Sequence, residues 1–571
     1  MFIKSNIFFI LIVGFLYSFT NFFYEDDDWY ILKNPGQIQS ITDDNYRVIV
    51  GARNGLFTYD KVTHELLYDI SLMRGLPSDI IKHVYYDDNT DHIWVIHSGG
   101  VSFKPLSSFS YHHLSNSDLI DKGISTIDDI GSSSGYIWLR NYQYIVPLNP
   151  FSGKFVDIND ALNEKNDINW GSSMYGFDGQ NIDISKFYIP EPEWSIGYRV
   201  NNMNSQYLDH NVFFDKHGDQ IIPTVSFVDS DNNYWIGTDR GFLFYAWGNS
   251  RKLDPIQPIL KKGIISDAYL DRDRNWWFFD SEFKRTGYFK NQSFDYFNGD
   301  DDIFLIFWDE DSGNWERFNI DESVSIKNTD VNDVMRIDDY LLVATGSGLL
   351  KKNLNNSSIS KSSSNQNNTS GLWDILDSSN GLGDDVVWKV VDYNGKIIAM
   401  TSNSLNEINL NPFKVIINDF KDNNNLKIYD MDIYGDDLLV ATSKGIKKTD
   451  LSFSNSTLVS NKVCYQVEIE GESLYCLNNS ISRLKLSSTN FKELIFDNQI
   501  RNFEVCDNYI WINLIDRARL VDMNSGESWY YNQDDGIQGR EIFNIGCEDD
   551  WVWFVSDKGV SLFNWEKYHD N

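Results

Sequence analysis

The stretch from Thr224 to Tyr245, TVSFVDSDNNYWIGTDRGFLFY, constrains what this chain can fold into more than any other. An apolar run ends at Val228, Asp229 to Asn233 form an Asx-rich turn, a second run starts at Tyr234, and Asp239 to Gly241 turn into a third. Asp and Asn favour such turns because their side chains bond nearby backbone, and Gly supplies the positive φ. Three short antiparallel strands cannot bury a core alone, whereas stacked copies can. The cadence returns along most of the chain at a spacing of about 40 to 45 residues, which suits a four-stranded propeller blade. This is a repeat protein first.

Taken in order, the copies differ in clarity. Val48 to Asp60 sets Gly51 and Gly55 where Gly237 and Gly241 stand, and Ile93 to Phe103 sets Trp94 where Trp235 stands. Further copies centre on Trp138, loosely on 170–210, and on Trp276 and Trp277, followed by an insertion that includes Ile303 to Phe318. Tyr340 to Leu350 carries Thr345 and Gly348, Leu438 to Ile446 carries Thr442 and Gly445, and Trp551 to Phe563 carries Trp553 and Gly559. Weaker copies lie around Ile397 to Leu405, Tyr475 and Trp511. The Ser/Asn tract Ser357 to Ser370 has too little apolar content for a strand and reads as a flexible loop.

The expected fold is therefore all-β: tandem β-propellers of about twelve four-stranded blades. Twelve exceeds the usual four to eight of one ring, so two rings are expected. An equal split gives a first propeller over 21–325 and a second over 326–571. Trp29 to Leu32 reads as an orphan outer strand able to close a ring and remove a free sheet edge. If it completes the last blade, one propeller is closed by both chain ends and the other is inserted within it.

Composition narrows the partners. The 571 residues carry a formal charge of −34, spread over turns, which repels phosphate backbones and argues against nucleic acid and anionic membrane surfaces. Lys4 followed by the apolar run Ile7 to Phe19 reads as a signal peptide over 1–20, with a membrane anchor as the alternative. Secretion to the periplasm or cell surface follows, without membrane insertion after cleavage. The four cysteines, at 464, 476, 506 and 547, are expected as buried thiols. Cys506 and Cys547, at equivalent places in neighbouring repeats, also suit a disulfide.

Chemistry is sparse. Asp229, Asp231 and Asn233 begin like a calcium loop, as do Asp271, Asp273 and Asn275, but Arg240 replaces the first loop's closing Glu and Trp276 the second's Gly. Glu282 keeps the acid of the second. The turn reading is preferred, so no cofactor is expected and calcium is only weakly supported. Asp309 to Trp315 faintly resembles an Asp-box turn. The adjacent pair His112 and His113 faces opposite sides of a strand, which opposes shared metal ligation. No credible Cys–His nucleophile pairing is present, and acids suited to glycoside cleavage are too abundant to signal a site. No catalytic residue is assigned.

Val228 to Phe244 resembles the two-component-regulator propeller repeat on Asp229, Asp231, Trp235, Ile236, Gly237, Thr238 and Gly241. Weaker echoes lie at Val343-Ala344-Thr345 with Gly348 and at Val440-Ala441-Thr442 with Gly445. Ile38 to Gly100 is similar to the N-terminal propeller of PorZ-type surface components of type IX secretion, on Gly51 to Asp60, Arg74-Gly75-Leu76 and Ile80. These resemblances imply paired propellers outside the cell, in sensor or secretion systems. The sequence shows no kinase region, helix-turn-helix or C-terminal sorting sandwich. The expected function is a secreted, non-enzymatic binding or scaffold protein of the bacterial envelope that recognises a protein or a glycan. The alternative is a carbohydrate-active hydrolase or lyase with carboxylates at a propeller channel.

Overall fold

A computed structural model describes residues 28–569 except 68–71, 109, 142–143, 173–182, 193, 199–210, 216–217, 257, 259, 261–264, 281–303, 310–313, 321–330, 355–372, 394, 420–425, 451–452, 454, 489, 498 and 549. The leader at 1–20, the Ser/Asn tract, the division near 325, Glu282 and most of the Asp-box turn lie outside the described residues. Among those described, no helix is long and apolar enough to cross a membrane.

Short antiparallel strands make up nearly all of the regular structure. Among the described residues twelve sheets follow one another, eleven of four strands and one of three. We number them sheet 1 (38–67), 2 (81–115), 3 (129–170), 4 (195–221), 5 (223–256), 6 (267–319), 7 (331–376), 8 (387–419), 9 (428–460), 10 (466–496), 11 (503–531) and 12 (542–564). Sheet 4 is the three-stranded one. In ten sheets the strands lie in chain order. In sheet 3 the last strand, Asn169–Trp170, returns to pair beside the first. Sheet 12 takes its fourth strand from the other end of the chain: β1 (Trp29–Leu32) pairs antiparallel with Gly559–Asn564, from Trp29 opposite Phe563 to Leu32 opposite Val560.

Burial explains the sequence pattern. The second strands, such as Tyr340–Thr345 and Trp551–Ser556, are buried at every position but the first. They therefore read as continuous apolar runs, because both faces are covered by neighbouring sheets. Outer strands such as Ser456–Ser460 stay exposed or half-exposed and polar. The core lies between sheets, and most clusters join sheets consecutive in the chain. Two clusters do not. Val225, Trp235 and Tyr245 of sheet 5 pack with Ile38, Val50 and Phe57 of sheet 1. Trp276, Phe278 and Trp308 of sheet 6 pack with Trp553, Val555 and Leu562 of sheet 12.

The cysteines correct an expectation. They are not thiols: Cys464 is bonded to Cys476, and Cys506 to Cys547. The first bond ties the segment leading into sheet 10 to that sheet's second strand. The other joins the first strands of sheets 11 and 12. Their Cα separations of 5.5 and 6.5 Å fall in the bridging range. Sequence spacing could not supply these distances, because they depend on which strands stack.

Candidate functional site

The repeat residues meet in one local device. Asp229 Oδ1 accepts from the N–H groups of Asp231 (2.9 Å) and Asn233 (2.8 Å), while Oδ2 accepts from Trp235 Nε1 (2.9 Å) and Asn233 Nδ2 (3.1 Å). One carboxylate thus holds the turn and anchors the buried indole. The Asp231 carboxylate is taken by Lys61 of sheet 1, at 2.9 Å. Asp271 repeats the pattern toward Asp273, Asn275 and Trp277. Thr238 clamps the next turn by donating to Phe242 O and accepting from its N–H, both at 2.9 Å. Thr345 and Thr442 donate to Gly348 O (2.8 Å) and Gly445 O (2.6 Å). At Gly237 a Cβ would stand 2.5 Å from Ile38 Cγ2, so glycine lets sheets 5 and 1 approach; Gly51 faces Ile81 in the same way. At Gly559, φ is +140° and a Cβ would meet Leu32 O of β1. Gly55, Gly348 and Gly445 share the positive φ, as does Gly241. Trp94 is buried and stacked on Phe103 at 4.1 Å, and Trp553 meets Trp276 edge-on at 5.1 Å. These residues build sheets and do not converge on one site.

Convergence occurs at the first strands instead. In every sheet but sheet 3 the first strand is an edge, with one row of N–H and C=O groups unpaired by strand neighbours. Side chains satisfy that row across the gap to the next sheet. Asp333 accepts from Val390 N (2.9 Å), Asp430 from Val467 N (3.0 Å), Asp432 from Ile469 N (2.7 Å) and Glu468 from Val505 N (2.8 Å). Gln466 accepts from Phe503 N (3.3 Å) and donates to Phe503 O (2.6 Å). Asn544 of sheet 12 donates to Asp267 of sheet 6 at 2.5 Å. Between sheets 1 and 2 and between sheets 5 and 1 the bridges are hydroxyls: Ser40 exchanges bonds with Val84 N and O (both 3.1 Å), Thr42 accepts from Tyr86 N (3.2 Å), and Thr224 donates to Ile38 O (2.6 Å).

A cavity of about 270 Å³ is walled by the first strands of sheets 7 to 12. Bulges shape it. In sheets 7, 8, 9 and 12 the pairing register skips one residue of the first strand, Asn332, Trp388, Tyr429 and Phe543 respectively, and all four line the cavity. A bulged residue is re-aimed off the strand's regular alternation. The lining also includes Asp333, Asp430, Asp432, Glu468 and Glu504 against two cations, Lys389 and Arg501. Lys389 Nζ donates to Asp430 (2.9 Å) and Met431 O (3.0 Å), and Arg501 donates to Ile542 O (2.8 Å) and Glu541 (2.5 Å). Burial raises the Asp432 carboxyl against the pull of Lys389. Burial, with Glu504 and Asp432 nearby, raises Glu468 well above the ordinary range.

Elsewhere, His97 Nε2 meets Ser102 Oγ (2.9 Å), which meets His113 Nδ1 (3.2 Å), while His112 lies over Phe103. Burial and His113 push His97 down to about 4. Among the described residues, no group of three or more His, Cys, Asp or Glu is placed to hold a metal ion. Most described tryptophans are core, but Trp247 is 69 % exposed, and Tyr46 is 79 % exposed. Both sit at the hairpin-turn end where Ser230 and Asp231 of sheet 5 bond Asp43 and Lys61 of sheet 1.

No family model and no curated protein matches this chain. Solved structures do. The chain is similar to PorZ, an essential bacterial surface component of the type IX secretion system of Porphyromonas gingivalis, at 12 % identity over 94 % of this chain and 87 % of that one, TM-score 0.53. This likeness shows the fold: the chain is a propeller-type protein. It also matches the extracellular domain of BT4673 from B. thetaiotaomicron (12 %, 92 % and 70 %, TM-score 0.41) and an ancestral GH74 enzyme (11 %, 94 % and 99 %, TM-score 0.43).

Proposed function

We propose that the chain is a secreted, non-enzymatic two-ring propeller that recognises a protein or a glycan at the bacterial envelope. Sheets 1 to 5 form one ring, and sheets 6 to 12, closed by β1, form the other. The five-sheet ring is then inserted between β1 and the rest, so the boundary falls between 256 and 267 and not near 325. The packing of sheet 5 on sheet 1 and of sheet 12 on sheet 6 supports this. So does the reach of the bridges. A narrower ring brings first strands close enough for Ser and Thr, while a wider one needs Asp, Glu, Asn and Gln.

The observation that carries the non-enzymatic reading is how the cavity's acids are used. Asp333, Asp430, Asp432 and Glu468 each accept a backbone N–H from the next sheet, which makes them pins of the ring. Recognition then falls to the surface, where the exposed Trp247 and Tyr46 share one end of sheets 5 and 1 and offer flat faces for a sugar or side chain. Fold likeness to PorZ and the two disulfides favour an envelope setting, and the motif's resemblance to the two-component-regulator repeat agrees with it. One observation favours the hydrolase alternative: Glu468, its carboxyl raised, stands among Asp432 and Glu504, as a general acid would.

The test is binding of the purified mature chain to a glycan array and an envelope-protein panel, with Trp247→Ala alongside. Selective binding that Trp247→Ala weakens supports recognition at that end. Silence on both formats from a folded chain removes the proposal.

A further inference from the structure

The cavity between sheets 7 and 12 holds more negative charge than the pinning role needs. Five carboxylates face two cations, and both cations are engaged: Lys389 by Asp430, Arg501 by Glu541 outside the cavity lining. Glu468 takes its bonds from Val505 N and from Gln466 Nε2 (2.6 Å), both neutral donors, and among the described residues no cation is bonded to it. A second, independent feature points the same way. Asn502 is 8 % exposed and lines the cavity, yet its amide Oδ1 has no hydrogen-bond partner, while its Nδ2 donates to Asn544. A buried acceptor left empty costs about 1–3 kcal/mol, so such groups usually mark where a donor arrives. The bulge residues Trp388, Tyr429 and Phe543 add three aromatic rings to the same wall. Carboxylates, a spare amide oxygen and ring faces together suit one kind of guest, since cations favour aromatic faces and donate to both oxygen types.

We propose that this cavity binds an organic cation, an alkylammonium or guanidinium group. The group meets Glu468 and Glu504, donates to Asn502 Oδ1, and lies against the rings of Trp388, Tyr429 and Phe543. Its source is either a Lys or Arg side chain of a partner or a free diamine, and about 270 Å³ admits one such chain but no whole oligosaccharide. Burial and mutual repulsion that raise Glu468 and Asp432 are relieved when a positive charge enters. The groups facing that charge are Asp333, Lys389, Asp430, Asp432, Glu468, Glu504 and Arg501.

This site deepens the reading of the chain as a binding protein and rests on it. Isothermal titration calorimetry of the whole chain against 1,5-diaminopentane, N-acetylarginine amide and its neutral citrulline counterpart tests it. The expected result is binding of both cations, none of the citrulline compound, and about tenfold weaker binding to Glu468→Gln, which keeps the acceptor for Val505 N. Asp432→Asn serves as the second variant should Glu468→Gln misfold, with the same expected loss. Tighter binding of the arginine compound assigns the guest to a partner's side chain, and tighter binding of the diamine assigns it to a free amine. Failure of the folded chain to bind either cation overturns the site, as does equal affinity for arginine and citrulline compounds. Capture of an array ligand without amine binding overturns the cavity site alone; amine binding without any array ligand overturns the surface reading alone.

Discussion

Replacing Asp229 with Ala tests whether one carboxylate holds a sheet together. Its loss strips acceptors from four donors: Asp231 N, Asn233 N, Asn233 Nδ2 and Trp235 Nε1. Asp231 is at the surface, and water replaces its bond. Asn233 is 3 % and Trp235 0 % exposed, so their three donors are left in the interior. At about 1–1.5 kcal/mol for each, local destabilisation is about 4 kcal/mol. Asp229→Asn keeps one acceptor oxygen but aims an N–H₂ group at a donor, and about half the loss is expected. A repeat array need not unfold in one step, so the assay is native-state hydrogen exchange over 223–246 with chemical denaturation alongside. Adding Trp235→Phe to Asp229→Ala removes one orphaned donor, so the two changes together cost less than their sum by about 1–2 kcal/mol. A loss below about 1 kcal/mol for Asp229→Ala, with the Asn233 amide still protected, would refute the reasoning.

Three other perturbations follow from the same packing. Cys506→Ser with Cys547→Ser opens a loop of sequence separation 41 and is expected to cost about 3–4 kcal/mol, read as a lower urea midpoint that reductant does not shift further in sheets 11 and 12. Trp29→Ala removes a fully buried ring stacked 4.3 Å from Phe563, a loss of about 3–5 kcal/mol that should deprotect 542–564 before 223–246. Burial pushes His83 down to about 4, with Lys82 adding to it, so the unfolded chain binds its proton first. Its contribution is present above about 6.5 and is lost as pH falls from there toward about 4, up to about 3 kcal/mol in all. The raised Glu468 acts in the opposite sense at higher pH, so comparing His83→Gln with the parent at pH 7 and pH 5 isolates the histidine.

What the sequence made legible was local. Alternation, Asx turns and the Gly after each second strand lie within a dozen residues of each other, so the motif around Trp235 could be read without knowing any neighbour. The bridging acids could not. Asp333, Asp430, Asp432 and Glu468 stand among 83 acidic residues, and only the apposition of successive first strands gives them their role. A signal was available in retrospect: Asp430 and Asp432 share one face of a first strand, where a soluble edge has no need of two acids. The bulges that turn Trp388, Tyr429 and Phe543 toward the cavity leave no mark in composition, because a bulge is a relation between two strands. The cysteines show the same limit. Their pairing follows from stacking distance, and burial alone favoured thiols.

The central claim is that the cavity's carboxylates serve structure and binding, not bond cleavage. Mass-spectrometric product analysis of each glycan the chain binds, for the parent and Glu468→Gln, tests it most directly. The account predicts intact glycan after prolonged incubation with both proteins and equal glycan affinity for the two. Released product from the parent, absent with a folded Glu468→Gln, would contradict it and make Glu468 a general acid.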